Sequence, residues 1–224
     1  MTEQDLELFE EYFQLEHQIS VNIKNGGPWS TIPDMQTFDA SIPTAYKIAS
    51  EMKGLEQNML RPLRQLGDAI EPLAEYLKAQ SRKIDLMMSY ILQAQDEDDL
   101  KFNTTSYGGG GFVFVSSHHF DLNNWIECKL FFNEDAAAVY CLGKVVEITP
   151  VESELIETET TEETKATETN TDNTLEEQNQ TPEKTLSYKV VFHRIRDEDR
   201  EVVVRASLHQ QSKMLLKKAR NKAR

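Results

Sequence analysis

Chemistry in this chain would start at Thr104-Thr105-Ser106-Tyr107-Gly108-Gly109-Gly110-Gly111, a polar turn that runs into four glycines. Four residues without a Cβ let the backbone take positive φ and come close to another group. A loop this rich in bare N–H donors can cradle a phosphate, with the Ser106 hydroxyl as an extra donor, or it can form a tight barrel corner. The spacing favours the corner. No Gly-Lys-Ser/Thr follows the glycines, so this is not a Walker loop. Phe112-Val113-Phe114-Val115 reads as a strand, so it is not a dinucleotide fingerprint either.

Other reactive residues offer less. His118-His119 beside Asp121 suggests a metal, but adjacent histidines point to opposite sides and Cys128 would have to arrive from another strand. Ser106 has no histidine and acid in its sequence context to activate it. The expectation is therefore no metal, no cofactor and no catalytic constellation. Cys128 and Cys141 sit in apolar runs and read as buried thiols rather than a disulfide.

The elements around the glycines fall into three stretches. Residues 1–43 are mixed: 5–14 suit a short helix, His17 to Ile23 alternates as a strand does, and Asn25-Gly26-Gly27-Pro28 breaks the chain. Residues 44–97 form a helical segment. Met59, Leu63, Leu66, Ile70, Leu73, Leu77, Gln80, Ile84, Met87 and Ile91 recur in alternating steps of four and three. That is a heptad seam, and its flanks include Ala69, Ala74, Tyr76, Met88 and Tyr90 rather than charges throughout. So wide a seam calls for three or four helices together, a tetramer among the options, or for a partner helix and a domain at once. A break near Leu60 would put Pro62 in a first helical turn, and Pro72 is expected to bend the helix. Gln80 is a polar residue of the kind that fixes register.

Residues 98–224 switch to a period of two. Strands are expected at Phe102–Ser106, Phe112–Ser116, Trp125–Phe132, Ala138–Ile148 and Leu186–Ile195, with a bulge at Gly143. Such spacing without intervening helices indicates a small antiparallel barrel or sandwich. A terminal helix follows, acidic from Asp197 and basic from Lys213 to Arg224. That polarity matches the helix dipole, and an anion-binding patch is the alternative reading of the tail.

Lys and Arg number 24 against 38 Asp and Glu, a net charge of −14. Residues 151–186 hold eleven of the acids with two lysines and ten threonines. They read as a disordered acidic insertion between two strands. The remainder is only mildly acidic, and nucleic acid is not the expected partner. No run approaches the roughly 20 apolar residues of a membrane span. Met1–Asp5 lacks the apolar core of a signal peptide, so a cytoplasmic location is expected.

Thr104-Xaa-Ser106-Xaa-Xaa-Gly109, a glycine-rich strand, a small barrel and a terminal helix after Phe192-His193-Arg194-Ile195 together resemble a PilZ domain. More closely they resemble an atypical PilZ domain preceded by a helical oligomerisation segment. The resemblance covers residues 100–224 and implies an α+β fold built on a six-stranded-type barrel. It also implies a signalling receptor for cyclic di-GMP, non-enzymatic, working through a protein partner. The family's motif joins an arginine pair to an Asp/Asn-Xaa-Ser-Xaa-Xaa-Gly turn. Here Ser106 and Gly109 match, Thr104 replaces the Asp or Asn, and residues 96–103 contain no arginine. Losing two charge-assisted contacts of ~1.5–3 kcal/mol each implies binding weaker by two to four orders of magnitude. Any site would use Ser106 and Gly108–Gly111, with Arg194, Arg196 or Arg200 as substitute bases. The rival reading is a constitutive oligomeric scaffold that binds no nucleotide.

Overall fold

The computed structural model describes residues 3–26, 31–63, 71–151 and 185–222. Seven strands occur there: β1 (Gln14–Leu15), β2 (Ser20–Asn25), β3 (Lys101–Gly108), β4 (Gly111–Ser116), β5 (Trp125–Phe132), β6 (Ala137–Pro150) and β7 (Leu186–Arg194). Five α-helices accompany them: α1 (Glu3–Glu10), α2 (Met35–Ser41), α3 (Thr44–Leu63), α4 (Glu71–Gln93) and α5 (Asp197–Lys222). All pairings are antiparallel, in the order β3-β2-β5-β6-β7-β4, and β4 returns to β3. The result is a closed six-stranded barrel with helices before and after it, and the short β1 laid on β3.

Closure depends on β3 changing partners along its length. Its first residues, Lys101–Asn103, pair with β2, and from Thr104 onward it pairs with β4, with a bulge between Thr104 and Ser106. The second bulge falls where Gly143 interrupts β6. A Cβ on Gly143 would lie 2.4 Å from Cγ1 of Val190, so the bend needs glycine for room. The barrel is not confined to residues 98–224. β2 comes from the first 43 residues and fills the gap between β3 and β5, with Val21 opposite both Phe102 and Leu130. Without it, β5 would keep an unpaired edge.

The barrel interior holds the alternating apolar residues of the strands. Phe114 stacks on Tyr188 with centroids 5.1 Å apart and meets Phe120 edge-on at 5.3 Å. Cys128 and Cys141 face each other across β5 and β6 as buried free thiols, and burial raises the Cys141 thiol. β6 is apolar on both sides for a second reason. Ala138, Tyr140 and Leu142 point outward into a cluster with Phe38, Tyr46 and Ala49, and with Met88 and Leu92 of α4. The start of α3 and the end of α4 thus share one anchor on the barrel. Lys53 Nζ donates to Asp85 Oδ1 at 2.7 Å, so the two helices run antiparallel as a hairpin. The helical segment is therefore two helices rather than one bent rod. Pro72 is the second residue of α4, where no N–H is required, and it costs no hydrogen bond. Pro62 lies at the end of α3 rather than opening a new helix.

α5 closes one end of the barrel. Val203 and Ala206 join the interior cluster beside Leu15, Ile19, Tyr107 and Phe132. β6 and β7 are directly paired where the acidic segment leaves and returns, with Pro150 opposite Leu186. Residues 152–184 of that insertion, positions 66 and 70 of the heptad seam, and the side chains of Met59 and Leu63 lie outside the described residues. Among the described residues no helix is long and apolar enough to cross a membrane.

Candidate functional site

Gly109 and Gly110 make the turn between β3 and β4, with Gly108 opposite Gly111. None of the four takes the left-handed φ that the sequence suggests; among the described glycines only Gly26 does, at 72°. What they provide is close approach. A Cβ on Gly108 would lie 2.2 Å from the Phe13 carbonyl oxygen, one on Gly109 2.5 Å from the Tyr12 ring and one on Gly110 2.4 Å from the Leu8 carbonyl oxygen. The end of α1 and the Tyr12–Gln14 segment therefore cover the turn. Its carbonyls are also engaged: Phe192 N–H donates to Gly110 at 2.9 Å and Arg200 Nη1 to Gly109 at 2.6 Å.

The other residues of the expected ligand set do not converge there. Ser106 is half-buried on β3, opposite Val113. Thr104 is fully buried and pins the loop before β2, its hydroxyl accepting from Ile19 N–H at 3.0 Å and donating to the His17 carbonyl at 3.1 Å. Arg196 forms a two-toothed pair with buried Asp199, at 2.7 and 3.0 Å, and burial pushes that carboxyl upward against the pull of Arg196. Arg194 turns to the Pro33 carbonyl at 2.7 Å. Of the three arginines only Arg200 reaches the glycine turn, and it lies over the Tyr12 ring at 5.2 Å.

A charged cluster that the sequence does not reveal holds α1 in place. Asp5 is 2% exposed. Its carboxylate meets Lys144 Nζ of β6 at 3.0 Å and His193 Nε2 of β7 at 2.9 Å. The Trp125 ring stands edge-on to His193 at 5.0 Å. No spacing rule joins residues 5, 144 and 193, because the barrel alone brings them together. Burial draws the His193 imidazole below its ordinary 6.5, outweighing the upward pull of Asp5, while Lys144 and Arg194 add to the lowering. The unfolded chain then binds this proton first on acidification. Stability contributed by neutral His193 is complete above pH 6.5 and declines as the pH falls through 6.5 toward the lower folded value. His193→Gln is expected to flatten that limb of a denaturant-midpoint profile between pH 7.5 and 5; an unchanged limb would assign it to other groups.

A cleft of about 440 Å³ lies where the α3–α4 hairpin, the Asn133–Asp135 turn and α5 meet. Lys53, Arg82 and Arg205 line it together with Asp85, Glu134 and Asp135, so it selects neither sign of charge. Glu134 is held by Lys213 at 2.6 Å and Asp135 by His209 at 3.1 Å. His119 Nε2 and Asp121 are 3.1 Å apart, while Cys128 is buried against Cys141. Among the described residues no three His, Cys, Asp or Glu side chains gather as metal ligands.

The outer face of α4 differs from all of these. Met88 and Leu92 turn inward, and the seam positions Leu73, Ile84, Met87 and Ile91 remain 51%, 40%, 61% and 45% exposed. Tyr76 and Tyr90 widen the face, and Gln80 Nε2 donates to the Tyr76 hydroxyl at 2.8 Å. At about 100° per residue these side chains fill an outward arc of roughly 120°.

No family model and no curated protein matches the chain. Among solved structures it is similar to the crystal structure of a pathogenic protein from Xanthomonas campestris, described as a new tetrameric PilZ domain self-assembled via an unusual helical bundle. The TM-score is 0.52 at 11% identity, over 95% of each chain. The fold is PilZ-like, as the glycine turn, the strand spacing and the terminal helix imply.

Proposed function

We propose that this chain is a non-enzymatic PilZ-like adaptor that assembles through the outer face of α4 and acts through protein partners. The observation that carries the reading is the apolar seam of α4. It is continuous with the domain anchor at Met88 and Leu92, and it is uncovered in the single chain. Several hundred Å² of contiguous apolar surface marks an interaction site. The similar Xanthomonas protein is tetrameric through a helical bundle, which supports the same use of the hairpin here.

The nucleotide site is degenerate on this reading. The glycine turn is covered by Tyr12 and α1, and Arg194 and Arg196 already have partners within the chain. Cyclic di-GMP would have only Ser106 and Arg200 near the turn, without the family's arginine pair. The covered turn favours the scaffold end of the range. Two measurements on the wild-type protein test the reading. Light scattering is expected to give a mass above one chain, and calorimetry no binding tighter than about 100 µM. A monomer at 100 µM protein would remove the assembly, and submicromolar nucleotide binding would restore the receptor.

A further inference from the structure

The last helix carries two apolar faces, and only one of them meets the barrel. Val203, Ala206 and Met214 pack on the interior cluster, and Gln210 reaches His17 at 2.7 Å. On the opposite side Leu208, Leu215 and Leu216 stand 52%, 61% and 65% exposed. With Ser212 and Ala219 they fill an outward sector of roughly 100° at 100° per residue. From Val202 onward the chain has seven Lys or Arg and no Asp or Glu. Lys218 lies on one shoulder of the leucine stripe and Arg220 on the other.

We propose that the outer face of α5 docks on an anionic lipid surface, lying in the plane of the headgroups. Three features select this occupant. A second copy of α5 would set Lys218 and Arg220 of each chain against their counterparts. A purely acidic polypeptide offers nothing to bury the leucines. The stripe also lacks the aromatic anchors in which protein interfaces are enriched. A bilayer supplies a negative surface over an apolar interior, and lysine stems reach back from one to the other. The acidic insertion does not cancel this field where it joins the barrel. It is rooted at Pro150 and Leu186, the far end of the nine-residue β7. Nine residues of strand span roughly 30 Å, against a Debye length of about 8 Å at physiological salt.

The test is sedimentation of the full-length protein with vesicles of phosphatidylcholine alone or with 40% phosphatidylglycerol. Binding is expected only to the anionic vesicles and is expected to weaken at least tenfold between 50 and 300 mM salt. Lys218→Glu with Arg220→Glu should lower the partition coefficient more than tenfold. Leu215→Ser with Leu216→Ser should lower it at least fivefold. All four sites are exposed, so circular dichroism and light-scattering mass should match wild type. No binding to anionic vesicles at 50 mM salt would overturn the proposal. So would binding to neutral vesicles alone, or loss from the Lys218/Arg220 variant with none from the leucine variant. Binding of a labelled polyglutamate peptide without vesicle binding would assign the face to an acidic protein, and a lower mass for the leucine variant would assign it to a second copy.

Discussion

Gly111→Ala is expected to lower the unfolding free energy by about 3 kcal/mol, the upper end of ordinary overpacking. For a chain of this size that corresponds to a fall of roughly 6–12 °C in Tm. The added Cβ would sit 2.0 Å from the Val190 carbonyl oxygen and 3.0 Å from Cδ2 of Phe9. Neither neighbour yields easily. Val190 belongs to β7, paired with both β4 and β6, so moving its carbonyl disturbs two ladders at once. Phe9 belongs to α1, which Asp5 ties to Lys144 and His193. The substitution separates the two readings of the glycines. A corner that needs close packing loses stability with no ligand present, whereas a phosphate cradle would keep its stability and lose only binding. Thermal unfolding of the apo protein decides, and a Tm within about 2 °C of wild type would reject the corner.

The reach of the sequence can be judged element by element. Five barrel strands and the Gly143 bulge follow from alternation and from a glycine placed inside an apolar run, both local signals. The length of β6 is legible for the same reason, but the use of its second face is not. Ala138, Tyr140 and Leu142 read as ordinary strand residues until α2, α3 and α4 are laid over them. β2 is legible as a strand and illegible as a barrel member, because its partners lie about eighty residues away in β3 and over a hundred away in β5. Periodicity reports which face a residue presents and says nothing of what arrives there. The covering of the glycine turn by Tyr12 and the burial of Asp5 belong to the same class of long-range fact. Pro72 shows the converse error. A seam continuous through residues 59–91 invites one helix, yet α4 starts at Glu71, which makes that proline a first-turn residue rather than a defect. The seam is split between the helices: Met59 and Leu63 fall on α3, and the positions from Leu73 to Ile91 lie together on α4.

Ile84→Asp with Met87→Asp is expected to convert the assembled protein to a single chain while leaving the barrel folded. The two side chains are 40% and 61% exposed in the single chain, and neither belongs to a buried core cluster. Across an assembled seam their exposed parts would be buried, together worth roughly the 1.5–3 kcal/mol of one full side chain, and the two carboxylates in their place add a larger desolvation cost. Together these changes should raise the dissociation constant by more than a thousandfold. Met88→Asp provides the contrast one residue away. Met88 is 6% exposed and packs in the cluster that holds α4 to Tyr140 and Leu142, so a charge there should destabilise the fold itself. The comparison therefore has two axes, mass by light scattering and unfolding by circular dichroism. The outer pair should move the first and spare the second, and the inner substitution should move the second. An outer-pair variant that keeps the wild-type mass would show that the α4 face is not the assembly seam. One that unfolds would show that Ile84 and Met87 serve the chain's own core.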